Sequence, residues 1–111
     1  MSRWTFGDIR VERVLEFEKP LGDPSWLYPA STPERVAAQR PWLAPRHLDP
    51  QSGLLIMAFH SFVIRTKHHV VVVDTCSRND RHRPQKTRYH MMTWPYLERL
   101  AAAGVAPEEV D

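Results

Sequence analysis

From Asp8 to Glu18 apolar and polar residues alternate. Ile9, Val11, Leu15 and Phe17 share one parity and Arg10, Glu12, Glu16 and Glu18 the other, with only Arg13 and Val14 out of step. A period of two with β-branched and aromatic residues on one side predicts a strand over 8–18 whose glutamate face is wet. A stronger signal spans 53–76. Leu54, Ile56, Ala58, Phe62 and Ile64 line one parity, and Leu55, Met57, Phe59 and Val63 line the other. A strand apolar on both faces belongs inside a layered fold. Thr66-Lys67-His68-His69 interrupts it before Val70-Val71-Val72-Val73 and Asp74-Thr75-Cys76, so 53–76 reads as a β hairpin without an Asn-Gly or Asp-Gly turn.

Between these strands the texture changes. Seven of the ten prolines (Pro20, Pro24, Pro29, Pro33, Pro41, Pro45 and Pro50) fall in 19–52. Each removes a backbone donor, so no sheet ladder is expected there. One short helix fits: Thr32 as N-cap, Pro33 in the first turn, Val36-Ala37-Ala38-Gln39 as its body and Pro41 as its stop. The stretch reads as an irregular insertion, long enough to be a rim or lid. Residues 77–92 form a basic loop, Arg78, Arg81, Arg83, Lys86 and Arg88 facing only Asp80. A helix is expected over 93–104, capped by Thr93, with Leu97, Leu100, Ala101 and Gly104 on its apolar stripe and Glu98 and Arg99 pointing outward.

A strand, a loop and an amphipathic helix make two thirds of a βαβ unit, which needs a return strand. The chain reaches Asp111 seven residues after Gly104, where that strand is expected to begin, so the sequence reads as truncated. Its 111 residues suit at most one domain, and 42% hydrophobic with 25% charged residues fits a folded protein. Fifteen Lys and Arg against thirteen Asp and Glu demand neither nucleic acid nor membrane as partner. The longest apolar run, Leu54 to Phe59, is far short of the roughly 20 residues that span a bilayer. With no signal-peptide pattern and a single cysteine, Cys76, the expected location is cytoplasmic.

Six histidines invite a metal-site reading. His68 and His69 are adjacent and point apart on a strand or turn, His60, His82 and His90 sit at no ligand spacing, and His47 with Asp49 is a loop pair. No metal site within the chain is therefore expected. Cys76 as a nucleophile would need a positioned base and a lowered pKa, and reads instead as a small half-buried thiol at a strand end.

Phe59-His60-Ser61-Phe62-Val63-Ile64-Arg65-Thr66, then Val70-Val71-Val72-Val73-Asp74-Thr75-Cys76, then the helix Tyr96-Leu97-Glu98-Arg99-Leu100 with Gly104-Val105 and Pro107-Glu108-Glu109-Val110-Asp111, together resemble the metallo-β-lactamase-fold hydrolase superfamily. The strand 8–18 and the Pro-rich insertion are similar to the start of its lactonase-like and organophosphate-hydrolase-like members. The resemblance implies an α/β fold: the N-terminal half of an αββα sandwich, mostly antiparallel, with one helix. It implies zinc or similar divalent metals in the intact protein, activating water against an ester, lactone or phosphoester substrate of small size. The family's H-x-H-x-D-H ligand motif follows the next strand and is not in these residues. No catalytic residue and no metal ligand is carried over. Asp74 alone matches a motif position, where the family's aspartate orients the metal loop. Arg78 departs from the small residue the family places there.

The chain is thus expected to be an inactive fragment of a metal-dependent hydrolase, able to self-associate through an exposed sheet. The alternatives are a small basic nucleic-acid-binding module on the 78–88 loop, with Tyr89, Trp94 and Tyr96 nearby, and a non-catalytic interaction fragment. The DNA downstream of codon 111 separates them.

Overall fold

The computed structural model describes residues 2–77, 79–85 and 91–111. The elements run β1 (Arg3–Phe6), β2 (Ile9–Gly22), α1 (Pro24–Leu27), α2 (Pro33–Leu43), β3 (Leu55–Arg65), β4 (Val70–Val73) and α3 (Tyr96–Ala102), ending in a 3₁₀ turn at Pro107–Glu109. The strands form one sheet in chain order, with β1–β2 and β3–β4 antiparallel. Contacts divide the chain into two compact units, Met1–Phe17 with Phe59–Asp111, and Glu18–Ala58.

The N-terminal strand is really a hairpin. Phe6 faces Ile9 across Gly7-Asp8, and Gly7 sits at φ 61°, which costs a residue without a side chain nothing. The wet face expected on β2 holds only at its end, where Phe17 is buried and Glu18 exposed, and is reversed before it. Glu12 and Glu16 are 3% and 1% exposed, whereas Ile9 is 41% exposed. Val14, which broke the alternation, explains this: it shares parity with both glutamates and packs with Val63, Leu100, Ala103 and Val105 in the core cluster. Burial there is tolerable because each carboxylate has a donor. Arg3 Nε lies 3.0 Å from Glu12 Oε1, and the Ser77 N–H donates to Glu16 Oε2 at 2.9 Å.

β2 also runs four residues beyond the predicted limit, through Pro20. Its ladder with β1 covers only Ile9 to Glu12, so a missing N–H at Pro20 breaks no β1 bond. In the second unit Thr32 Oγ1 accepts the Arg35 N–H and caps α2, with Pro33 in the first turn. Pro41 does not stop this helix, which ends at Leu43. The stop is Pro45, because the residue before a proline is driven out of the helical region and Ala44 takes φ −90°, ψ 146°. A second short helix, α1, is capped by Asp23 accepting the Ser25 N–H.

The β3–β4 hairpin pairs Phe62 with Val73 through to Arg65 with Val70. Its connection is closed by Thr66, whose N–H donates to the His69 carbonyl and whose Oγ1 accepts the His68 and His69 N–H groups. In α3 the apolar stripe is Tyr96, Leu100 and Ala103, and Leu97 is exposed. Thr93 does not cap it: Pro95 occupies the N-cap without a side-chain hydrogen bond. At the other end Gly104 has φ 78°, and Arg65 Nη2 donates to the Ala103 and Gly104 carbonyls. Arg99, expected to point outward, instead donates through Nη1 to the Leu15 and Glu16 carbonyls, pinning α3 on β2.

Candidate functional site at the end of β4

β4 ends in a tight turn held in an unusual backbone conformation. Asp74 has φ 64° and Cys76 φ 61°, left-handed positions that cost a residue with a side chain of order 1–2 kcal/mol. Asp74 suits such a position, because its own Oδ1 accepts the Cys76 N–H at 2.8 Å. The Asp74 side chain is exposed, and among the described residues this local bond is the one it makes.

Three groups brace the turn from other elements. Ser61, fully buried on β3, donates its hydroxyl to the Asp74 carbonyl at 2.5 Å. Having spent its one proton there, Ser61 Oγ accepts from the Tyr96 hydroxyl at 2.6 Å. It also lies 3.4 Å from Cys76 Sγ. Glu16 on β2 takes the Ser77 N–H, and Arg83 Nη1 donates to the Ser77 carbonyl at 2.8 Å. Beyond it, Asn79 and Trp94 clasp reciprocally: Asn79 Nδ2 donates to the Trp94 carbonyl and the Trp94 N–H to Asn79 Oδ1. The Trp94 ring stacks on Phe17, which stacks on Phe59. Thr75, Cys76, Asn79, Asp80, Tyr96 and Leu97 line an open cleft of about 470 Å³ beside the turn.

The electrostatics work against a Cys76 thiolate. Burial pushes its thiol up to about 11; the Ser61 hydroxyl opposes this, and the charges of Glu16 and Asp74 each add a smaller upward push. Burial also raises the Tyr96 phenol above its ordinary value. Neither group offers a ready anion near neutral pH.

The histidines are scattered. His60 packs its ring edge on Phe62 with Nδ1 buried and unpartnered, His47 lies against Trp42, and His68, His69 and His82 are exposed. His90 lies outside the described residues, as do Arg78, Lys86, Arg88 and Tyr89. Among the described residues no group of three His, Cys, Asp or Glu side chains converges where a metal ion could sit. The donor set here therefore does not fit a hydrolytic metal centre. Asp74, the motif position of the resemblance, and Cys76 both lie in this turn. From sequence alone Glu16, Ser61 and Asn79 carry no role and Tyr96 stands only beside the basic loop, although Ser61 is the one hydroxyl of β3.

No protein-family profile matches the chain, and no curated protein matches it in sequence. Among solved structures it is similar to one described as the hydrolase AbOPH in the beta-lactamase superfamily, with a TM-score of 0.66 and 16% identity. The match covers 98% of this chain and 33% of that one, so the chain spans about a third of the length of its structural neighbour. The likeness is one of fold: these residues are built like about a third of that structure.

Proposed function

We propose that these residues form the N-terminal part of a metal-dependent hydrolase of the ester, lactone or phosphoester class, akin to the lactonase-like and organophosphate-hydrolase-like members of that superfamily. The observation that carries the reading is the fold match over nearly the whole chain. A second feature agrees with it. The Asp111 N–H donates to the Val70 carbonyl at 2.9 Å, and the Val70 N–H to Asp111 Oδ2 at 2.8 Å. A strand continuing from Val110-Asp111 would thus start beside β4, with α3 as the crossover, as a βαβ unit requires.

In this reading zinc or a similar divalent ion is held by side chains other than those described here, and a small-molecule substrate meets it there. The contribution of these 111 residues is architectural: a braced turn at the end of β4, with Asp74 exposed on it to orient a neighbouring loop. Of the basic residues on which the nucleic-acid alternative rests, Arg83 donates to the Ser77 carbonyl.

The test is the coding DNA beyond Asp111. A strand of about 5–6 residues should lead to H-x-H-x-D-H within about ten. A chain extended through that motif should hydrolyse members of a carboxylic ester, lactone and phosphotriester panel and lose activity to a chelator. Absence of the motif from every downstream reading frame refutes the proposal.

A further inference from the structure

We infer that Glu16 is the positioning residue of the β4-end turn: its buried carboxylate, delivered from β2, holds the Ser77 N–H and so fixes the conformation in which Asp74 and Thr75 are presented.

The argument is one of compensation. Two residues of the turn, Asp74 and Cys76, sit at positive φ, and such a conformation persists only where the surroundings over-determine it. Four hydrogen bonds do so. The Asp74 Oδ1 bond from Cys76 N–H is local and exposed, and Ser61 fixes the turn's entry at the Asp74 carbonyl. The exit at Ser77 is held on its carbonyl by Arg83 and on its N–H by Glu16. Arg83 belongs to the loop that follows the turn. Glu16 does not: it is 1% exposed on a central strand whose backbone carbonyls at Leu15 and Glu16 are in turn gripped by Arg99 of α3. A carboxylate so buried is costly unless it serves as an acceptor, and the Ser77 N–H is its directed bond. Residues 61 positions apart in sequence are thereby locked, and the turn inherits the rigidity of the sheet.

The same placement puts the Glu16 charge beside the Cys76 thiol, which makes Cys76 a reporter. The groups facing that thiol are Glu16 from β2, Ser61 from β3, Asp74 from the turn and Tyr96 from α3. Removing the Glu16 charge while keeping an acceptor must ease thiolate formation without releasing the turn.

The inference gives a role to the turn assigned above to a hydrolase, yet its test needs no hydrolysis. In the 111-residue chain, hydrogen exchange of the Ser77 amide and the pH profile of Cys76 alkylation by iodoacetamide are measured for wild type, Glu16→Gln and Glu16→Leu, with the Val63 amide as the fold control. In wild type the Ser77 amide should be protected. Glu16→Gln should keep that protection within about threefold and shift the alkylation profile to lower pH, raising the rate at pH 8.5 by about threefold or more. Glu16→Leu should lose Ser77 protection by about tenfold or more with Val63 still protected; if Val63 protection is lost as well, the Gln variant decides. An unprotected Ser77 amide in wild type, or an unmoved alkylation profile in Glu16→Gln, overturns the inference. Neither result bears on the downstream motif, so the two readings fail separately.

Discussion

At the scale of single residues, Asp74 and Cys76 carry opposite expectations. Asp74 is exposed at φ 64° and, among the described residues, holds the Cys76 N–H, so its value is conformational. Asp74→Ala should destabilise the chain by about 1–2 kcal/mol in urea unfolding, whereas Asp74→Asn, which also tolerates the left-handed region and keeps an acceptor, should be near neutral. In a chain extended through the ligand motif, Asp74→Ala should lower metal affinity and turnover together by about 10–100-fold, and Cys76→Ala should change turnover little. Cys76 has a second signature. Its folded pKa, about 11, lies above the unfolded value near 9, so the folded state binds its proton more tightly. The stability this contributes is complete below pH 9 and disappears as pH rises towards 11. Cys76→Ala should flatten that part of a stability–pH curve measured by thermal melting.

At the scale of elements, the two α3 leucines test which stripe is buried. Leu100 is 5% exposed and Leu97 63%. Leu100→Ala should cost about 2–5 kcal/mol, and Leu97→Ala should stay within about 0.5 kcal/mol; equal costs would mean that α3 is rotated. Both leucines fit a 3.6-residue period, and the sequence cannot choose between overlapping stripes until the start of the helix is known. β2, β3 and β4 were legible in type because their patterns are local, and the β3–β4 hairpin stood out as two apolar runs around Thr66–His69, whereas β1 was missed. The face of β2 was legible only at Phe17 and Glu18, not from Ile9 to Glu16. Its apolar count favoured Ile9, Val11, Leu15 and Phe17, but burial follows whichever side α3 covers, and Val14 was the single residue that said so. The braces of the β4 turn were hidden for a related reason: Glu16, Ser61 and Tyr96 meet Asp74–Ser77 only through long-range folding.

At the scale of the molecule, the first unit leaves apolar side chains in the open. Trp4, Phe6 and Ile9 on the β1–β2 hairpin and Val71 and Val73 on β4 are all exposed. A sheet in a layered fold needs cover on both faces, and the structural neighbour is about three times longer than the part matched here. β4 is moreover an apolar edge strand with unpaired backbone groups, a surface for further chains that only its shortness blunts. The 111-residue chain on its own should therefore self-associate at micromolar concentrations, read by light scattering coupled to gel filtration. Placing Val71→Lys and Val73→Lys together should shift it towards monomer while far-UV circular dichroism stays unchanged, because both side chains stand outside the core cluster of Val14, Val63, Leu100, Ala103 and Val105. The measurement also weighs the functional proposal. If wild type is monomeric and melts in one sharp cooperative transition, the exposed valines are a finished surface, and the view of these residues as one part of a larger hydrolase loses its physical support.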